Sequence, residues 1–285
     1  MLWVYERPTL RTMSAQNISK LNLLLRALGD ARLVSSRWLR ANGYSTGLVA
    51  RYVRNGWVQS PVRGVYTLPD TAPGWDAVLR TLQQREGLRI HVGGRFALSW
   101  HGQEHYLRLG EPAQVTVFGS DRLPGWVLQM PLNESLVWCG RGPFASTPLR
   151  FSDRADGERL DNVGLKRVVN SDLVGEVIMA SVERAVLELC DEPPGTGLVY
   201  EVDAVMQGLS RLRPDLVSRL LRDCLSIKAK RLFLALAERH GHAWVKRLVL
   251  DGVDLGSGKR SLVPGGRLDP KYLITLPANL DEQLG

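Results

Sequence analysis

Between Asn17 and Leu28, apolar side chains fall at Ile18, Leu21, Leu24, Leu25 and Leu28. Recurrence at three- and four-residue intervals marks one face of an amphipathic helix, and Gly29 supplies its stop. The next stretch, SSRWLRANG, predicts a short helix capped by Ser35 or Ser36 and ended at Gly43. Ser45 then caps a third helix over TGLVARYVRN, which ends at Gly56. The following WVQSPVRGVYTLP reads as two short strands around Pro61 and Gly64. Three helices and a small ribbon are the plan of a winged helix-turn-helix. In the third helix, Leu48, Val49, Tyr52 and Val53 form the apolar stripe, with Trp57 just beyond. Thr46, Gly47, Ala50, Arg51, Arg54 and Asn55 face the other way.

A break follows at DTAPGW, where prolines cluster, so domains are expected over 1–72 and 73–285. Helices are expected over 75–86 and 94–107. From Ala113 to Val169 the pattern shifts to short strands: QVTVF, WVLQM, SLVWC, LRFS and LKRVV. Their short connections predict a mainly antiparallel sheet. Helices return at VERAVLELC behind Ser181, at Val199–Leu209, at DLVSRLLRDCL behind Pro214, and over 228–240 and 243–250. VDLGSGKRSLVPGG and YLITLP read as two closing strands. The expected fold is α+β: a winged helix-turn-helix, then a larger mixed domain.

Composition narrows the function classes. The chain has 285 residues, 44% hydrophobic and 23% charged, which excludes a collagen, a coiled coil or a long disordered chain. Its three cysteines are widely spaced with no CxxC pair, so a reduced, cytoplasmic protein is expected. MLWVYERPTL does not read as a secretion signal, and no apolar run suggests a membrane span. The net charge of +8 is unevenly spread. Residues 1–70 hold ten Arg/Lys against three acids, and residues 211–260 hold twelve against five.

The first basic block suggests a polyanion, most simply double-stranded DNA. A small outer helix face carrying arginine further along can enter a major groove and donate to guanine O6 and N7. Thr46, Arg51, Arg54 and Asn55 are therefore expected at the bases. Ser45, Arg37 and Arg40 are expected at phosphates, and Gln59 and Arg63 in the wing. The second block offers Lys228, Lys230, Arg231, Lys246, Lys259 and Arg260 as a second nucleic-acid or antitoxicity surface. Leu225, Leu232 and Leu236 would then be core. A solvated basic face is the alternative for either block.

One enzymatic pattern stands out. His101-Gly-Gln-Glu104-His105 matches H-x-x-E-H, in which two histidines on one helical face bind zinc and the glutamate acts on water. Glu176, Glu183 or Glu188 would have to complete the ligand set. A zinc-dependent hydrolase is thus the alternative function; the bland reading is a pair of half-buried histidines. GSGKR at 256–260 fails the phosphate-loop pattern at Val253 and Arg260, although a basic glycine-rich loop can still hold a phosphate. No nucleophile elbow or nuclease core is present, and no cofactor is expected.

Several segments in order resemble AbiEi antitoxins of type IV toxin–antitoxin and phage-defence (abortive-infection) loci. They are YVRNGWVQSPVRGVYTLP, ALSWHGQEHYLRLG, SVERAVLEL, the block LRPDLVSRLLRDCLSIKAKRLFLALAERHGHAW and VDLGSGKRSLVPGGRLDPKYLITLP. The resemblance implies a non-enzymatic repressor whose winged helix binds inverted repeats at its own promoter. It also implies that the larger domain neutralises a nucleotidyltransferase-like AbiEii toxin, by contact or indirectly.

Overall fold

The computed structural model describes residues 15–103, 114–146, 157–169 and 175–280. These fall into two compact units. One is built from the described residues of Met1–Leu88, Leu123–Leu136 and Val169–Val177, the other from those of Arg89–Arg122, Val137–Val168 and Ile178–Gly285. The fold is mixed α+β, with a winged helix-turn-helix at its N-terminal end.

In the first unit, α1 (Ala15–Ala31) leads into β1 (Leu33–Ser35), α2 (Ser36–Ala41), α3 (Thr46–Arg54) and β2 (Val65–Thr67). The expected caps are present. Ser35 Oγ accepts from Trp38 N–H at 3.2 Å and Ser45 Oγ from Leu48 N–H at 3.3 Å. Leu21, Leu24 and Leu28 of α1 pack with Val34, Leu39, Tyr44, Leu48, Val49, Tyr52 and Val58. Burying a side chain of this kind contributes about 1.5–3 kcal/mol. Packing of this sort, rather than intrinsic propensity, holds a helix as short as α2. Val53, expected in the stripe, is 37% exposed.

The wing is built differently from the expected hairpin. β2 pairs antiparallel with β1, matching Leu33 to Thr67, Val34 to Tyr66 and Ser35 to Val65. The strand expected before Pro61 is reduced to one bridge, between Gln59 and Thr67. Pro61 has no N–H to give a ladder. Helix α4 (Trp75–Arg80) runs on as a π-helical turn, Thr81–Arg85, and belongs with this unit. Thr81 Oγ1 donates to the Leu33 carbonyl at 3.3 Å, and Arg85 Nη2 to the Ala27 carbonyl at 3.0 Å.

A five-stranded sheet falls largely within the second unit. Its strands are β3 (Ile90–Val92), β4 (Gln114–Gly119), β5 (Ser135–Trp138), β6 (Leu165–Val168) and β7 (Val177–Ala180), in the order β5-β4-β3-β7-β6. β3 runs antiparallel to β4, with His91 opposite Phe118, but parallel to β7, with Val92 opposite Met179. Around it lie α5 (Gly94–Trp100), α6 (Gly157–Asn162), α7 (Val182–Cys190), α8 (Thr196–Gly208), α9 (Pro214–Asp223) and α10 (Ile227–Arg239). An antiparallel pair, β8 (Arg267–Asp269) and β9 (Ile274–Leu276), follows. No helix among the described residues is long and apolar enough to cross a membrane.

Other local expectations are corrected. WVLQM is not a strand: Val127–Gln129 forms a single 3-10 turn. The helix expected over 243–250 is one such turn, Val245–Arg247. Before β8, VDLGSGKR is a loop with one bridge at Arg260. The expected strand LRFS lies outside the described residues, as do residues 104–107 of the expected helix.

Candidate nucleic-acid interface

Helix α3 turns Leu48, Val49 and Tyr52 into the core and leaves Thr46, Gly47, Ala50, Arg51 and Arg54 exposed. This face is small over its first turn. The two arginines lie in its last turn, where they also complement the helix dipole. Gly47 needs comment: a Cβ added there meets nothing within 4 Å, so packing does not demand a glycine. Arg37, Arg40 and Arg63 are exposed as well. Among the described residues, none of these five arginines makes a hydrogen bond or ion pair through its guanidinium.

Two of the expected side chains already make hydrogen bonds within the protein. Ser45 Oγ caps α3 through Leu48. Asn55 is half-buried at the C-cap, where its backbone N–H, not its side chain, bonds to the Arg51 carbonyl at 3.0 Å. Gln59 is half-buried and its Nε2 donates to the Thr71 carbonyl at 3.4 Å.

The second basic block does not form the single exposed face expected of it. Lys230 and Arg231 are each only 2% exposed. Lys228 Nζ donates to the carbonyls of Asp191, at 2.8 Å, and Glu192. Helix α10 is buried on nearly every side, from Ala229 through Ala237, so a one-sided reading of it fails. Leu225, expected in the core, is 70% exposed. Lys246, Lys259 and Arg260 remain exposed.

The zinc pattern is not carried on helix α5. Helix α5 ends at Trp100, His101 is its C-cap, and Gly102 turns at φ +73°. His101 Nε2 pairs with the Ala180 carbonyl at 2.9 Å, and burial lowers its pKa. Glu104 and His105 lie outside the described residues. No cluster of three metal-ligating side chains occurs among the described residues.

Two of the carboxylates considered as ligands have structural duties. Glu188 accepts from His91 Nε2 at 2.7 Å, Arg184 Nε at 2.8 Å and the Gly94 N–H at 2.9 Å. Burial pushes its carboxyl up, but His91 and Arg184 outweigh burial and hold it below the usual range. Burial lowers the pKa of His91, against the opposing pull of Glu188. Gly93 is required here, because a Cβ would lie 2.1 Å from Glu188 Oε2. Glu183 binds Arg213 Nε at 2.9 Å, and Arg213 Nη1 reaches Asp161 at 2.7 Å. Burial raises Glu183 while Arg213 pulls it lower. The Arg184–Glu188 pair, four apart in α7, was the one sequence signal for this cluster; His91 left none.

The helix-turn-helix, its wing and the free arginines of α3 define a transcriptional regulator in architecture. Sequence profiles of one family cover nearly all of the chain. "Transcriptional regulator, AbiEi antitoxin N-terminal domain" matches residues 17–109, and "Transcriptional regulator, AbiEi antitoxin, Type IV TA system" matches residues 112–277. The chain belongs to the AbiEi antitoxin family of transcriptional regulators. Its fold is similar to that in the crystal structure of the RV2827C protein from Mycobacterium tuberculosis. The TM-score is 0.52 at 16% identity, over 94% of this chain and 95% of that one. No curated protein matches it in sequence.

Proposed function

We propose that this regulator represses its own toxin–antitoxin operon by binding inverted repeats in the promoter, in the cytoplasm. Residues 1–72 form the DNA-binding part in this reading. Thr46, Arg51 and Arg54 approach the bases, Arg37 and Arg40 hold phosphates, and Arg63 reaches from the wing. Residues 73–285 neutralise a nucleotidyltransferase-like AbiEii toxin. The observation that carries the DNA half is the unpartnered, arginine-bearing outer face of α3, on a helix whose inner face is fully committed to the core. The toxin half is supported by membership of the family alone.

Fluorescence anisotropy of the full chain on its upstream DNA, beside a scrambled duplex and over a salt series, tests the first half. Each neutralised phosphate should add about −0.9 to the log–log salt slope. Steep and sequence-selective binding is expected. Equal, weak binding to both duplexes would overturn the promoter reading. Co-expression with the toxin, scored by growth, tests the second half.

A further inference from the structure

Arg231 is buried, yet among the described residues it makes no ion pair with a carboxylate. Its guanidinium is spent on carbonyls. Nε donates to Leu255 at 2.7 Å, Nη2 to Gly256 at 2.9 Å, and Nη1 to Gly258 at 2.7 Å and Leu273 at 3.3 Å. A buried cation left without a counter-charge is expensive, and the three shortest bonds of this one all grip carbonyls of one loop, residues 255–258.

The consequence for the loop is polarity. Carbonyls of Leu255, Gly256 and Gly258 are drawn inward, towards positive charge. The amides of Ser257, Gly258 and Lys259 donate to no acceptor among the described residues. Gly256 and Gly258 hold φ +64° and +78° on either side of Ser257, and this alternation lets successive N–H groups converge on one concavity. The side chains of Ser257, Lys259 and Arg260 are exposed around it. Asp254 Oδ1 accepts the Gly256 N–H at 2.7 Å, which fixes the loop's start. Arg231 stands behind the loop and Lys259 and Arg260 beside it.

We propose that residues 256–260 form a preorganised phosphate-binding loop, with Arg231 as its buried positioning residue. The ligand is a phosphate group, borne either by a nucleic-acid backbone or by a free nucleotide. The site is separate from the α3 interface, so its failure and that of the promoter reading are read independently.

The test is an amide-shift titration of full-length protein labelled with 15N-glycine and 15N-lysine. The probe is inorganic phosphate, against sodium chloride at equal ionic strength. Saturable shifts of Gly258 and Lys259 under phosphate alone are expected. Shifts no larger than those in chloride would overturn the site. Lys259→Ala with Arg260→Ala should weaken binding about tenfold or more, as for loss of charge-assisted hydrogen bonds. Gly258→Ala keeps every charge but disfavours the loop's backbone, and it too should lose binding. If Gly258→Ala binds as wild type does while the double variant fails, the loop is only a charged patch and the proposal falls. Arg231→Lys, which keeps the charge but not the fork of donors, should bind weakly if it folds. Repeating the titration with a 5′-mononucleotide and with single-stranded oligonucleotides of rising length separates the sources. Affinity that climbs with length assigns a nucleic-acid backbone; affinity equal for both assigns a nucleotide.

Discussion

The two basic regions have the same excess of charge and use it in opposite ways. In the first unit, Arg37, Arg40, Arg51, Arg54 and Arg63 stand exposed, with no polar partner among the described residues. In the second, Arg213, Lys228 and Arg231 are turned onto carboxylates and carbonyls of the protein itself. Net charge is blind to this distinction. What separates a binding face from an internal brace is whether the guanidinium's donors are already satisfied.

The sharpest way to break the comparison is to remove one internal brace. Arg184→Ala leaves Glu188 buried with only His91 and the Gly94 N–H, and breaking a buried pair costs about 3–5 kcal/mol. Urea unfolding followed by a probe in the second unit should show this loss. A change under 1 kcal/mol, on the order of a surface pair, would deny the cluster its role. Acid should act on the same place. The folded pKa values of His91 and Glu188 both lie below their unfolded values. Each contribution is therefore present at high pH and lost on acidification, first as the unfolded histidine protonates near pH ~6.5, then near ~4.3 for the glutamate. Protection of α7 amides should fall between pH 7 and 5, while that of α3, with its apolar inner face, should not.

Removing a free arginine should do the reverse. Arg51→Ala or Arg54→Ala should cost about 1–3 kcal/mol of operator affinity if it makes a bidentate base contact, with the melting temperature unchanged. Loss of stability instead of affinity would place these residues with the braces. Ser45→Ala should cost about 1 kcal/mol of stability through the lost cap, and operator affinity should follow only as far as α3 frays. The smallest effect has an unusual sign. Gly47→Ala should stabilise the helix by up to about 1 kcal/mol, since nothing fills the space, yet weaken operator binding. A variant that gains stability and keeps full affinity would show that the DNA does not approach there.

The helix-turn-helix was legible because α1 announces itself by spacing, α2 by its cap and α3 by both, although α1 runs through Gly29, its expected stop, to Ala31. The wing was half legible. β1 is only Leu-Val-Ser, too short to alternate, and it follows α1 so closely that it reads as a helix end. β3 and β7 were missed for a related reason: Ile90–Val92 and Val177–Ala180 are short and buried throughout, so they show no polar face. Lys230 and Arg231 misled because local pattern treats a cation as a surface marker. The carbonyls that receive Arg231 come from residues more than twenty positions further on. The arginines of α3 were placed correctly on its outer side, since one turn of amphipathic helix already separates them from Leu48 and Tyr52.

The parallel pairing of β3 with β7 also sets an order of birth. The wing closes once Thr67 meets Leu33, but the central sheet waits for Met179 to reach Val92. At about 5–20 residues per second of synthesis, that gap is on the order of ten seconds. A nascent chain therefore completes the helix-turn-helix and its wing long before β3 acquires its parallel neighbour. Translation stalled in that interval would release a polypeptide with the arginine face finished and the buried braces of α7 still unmade.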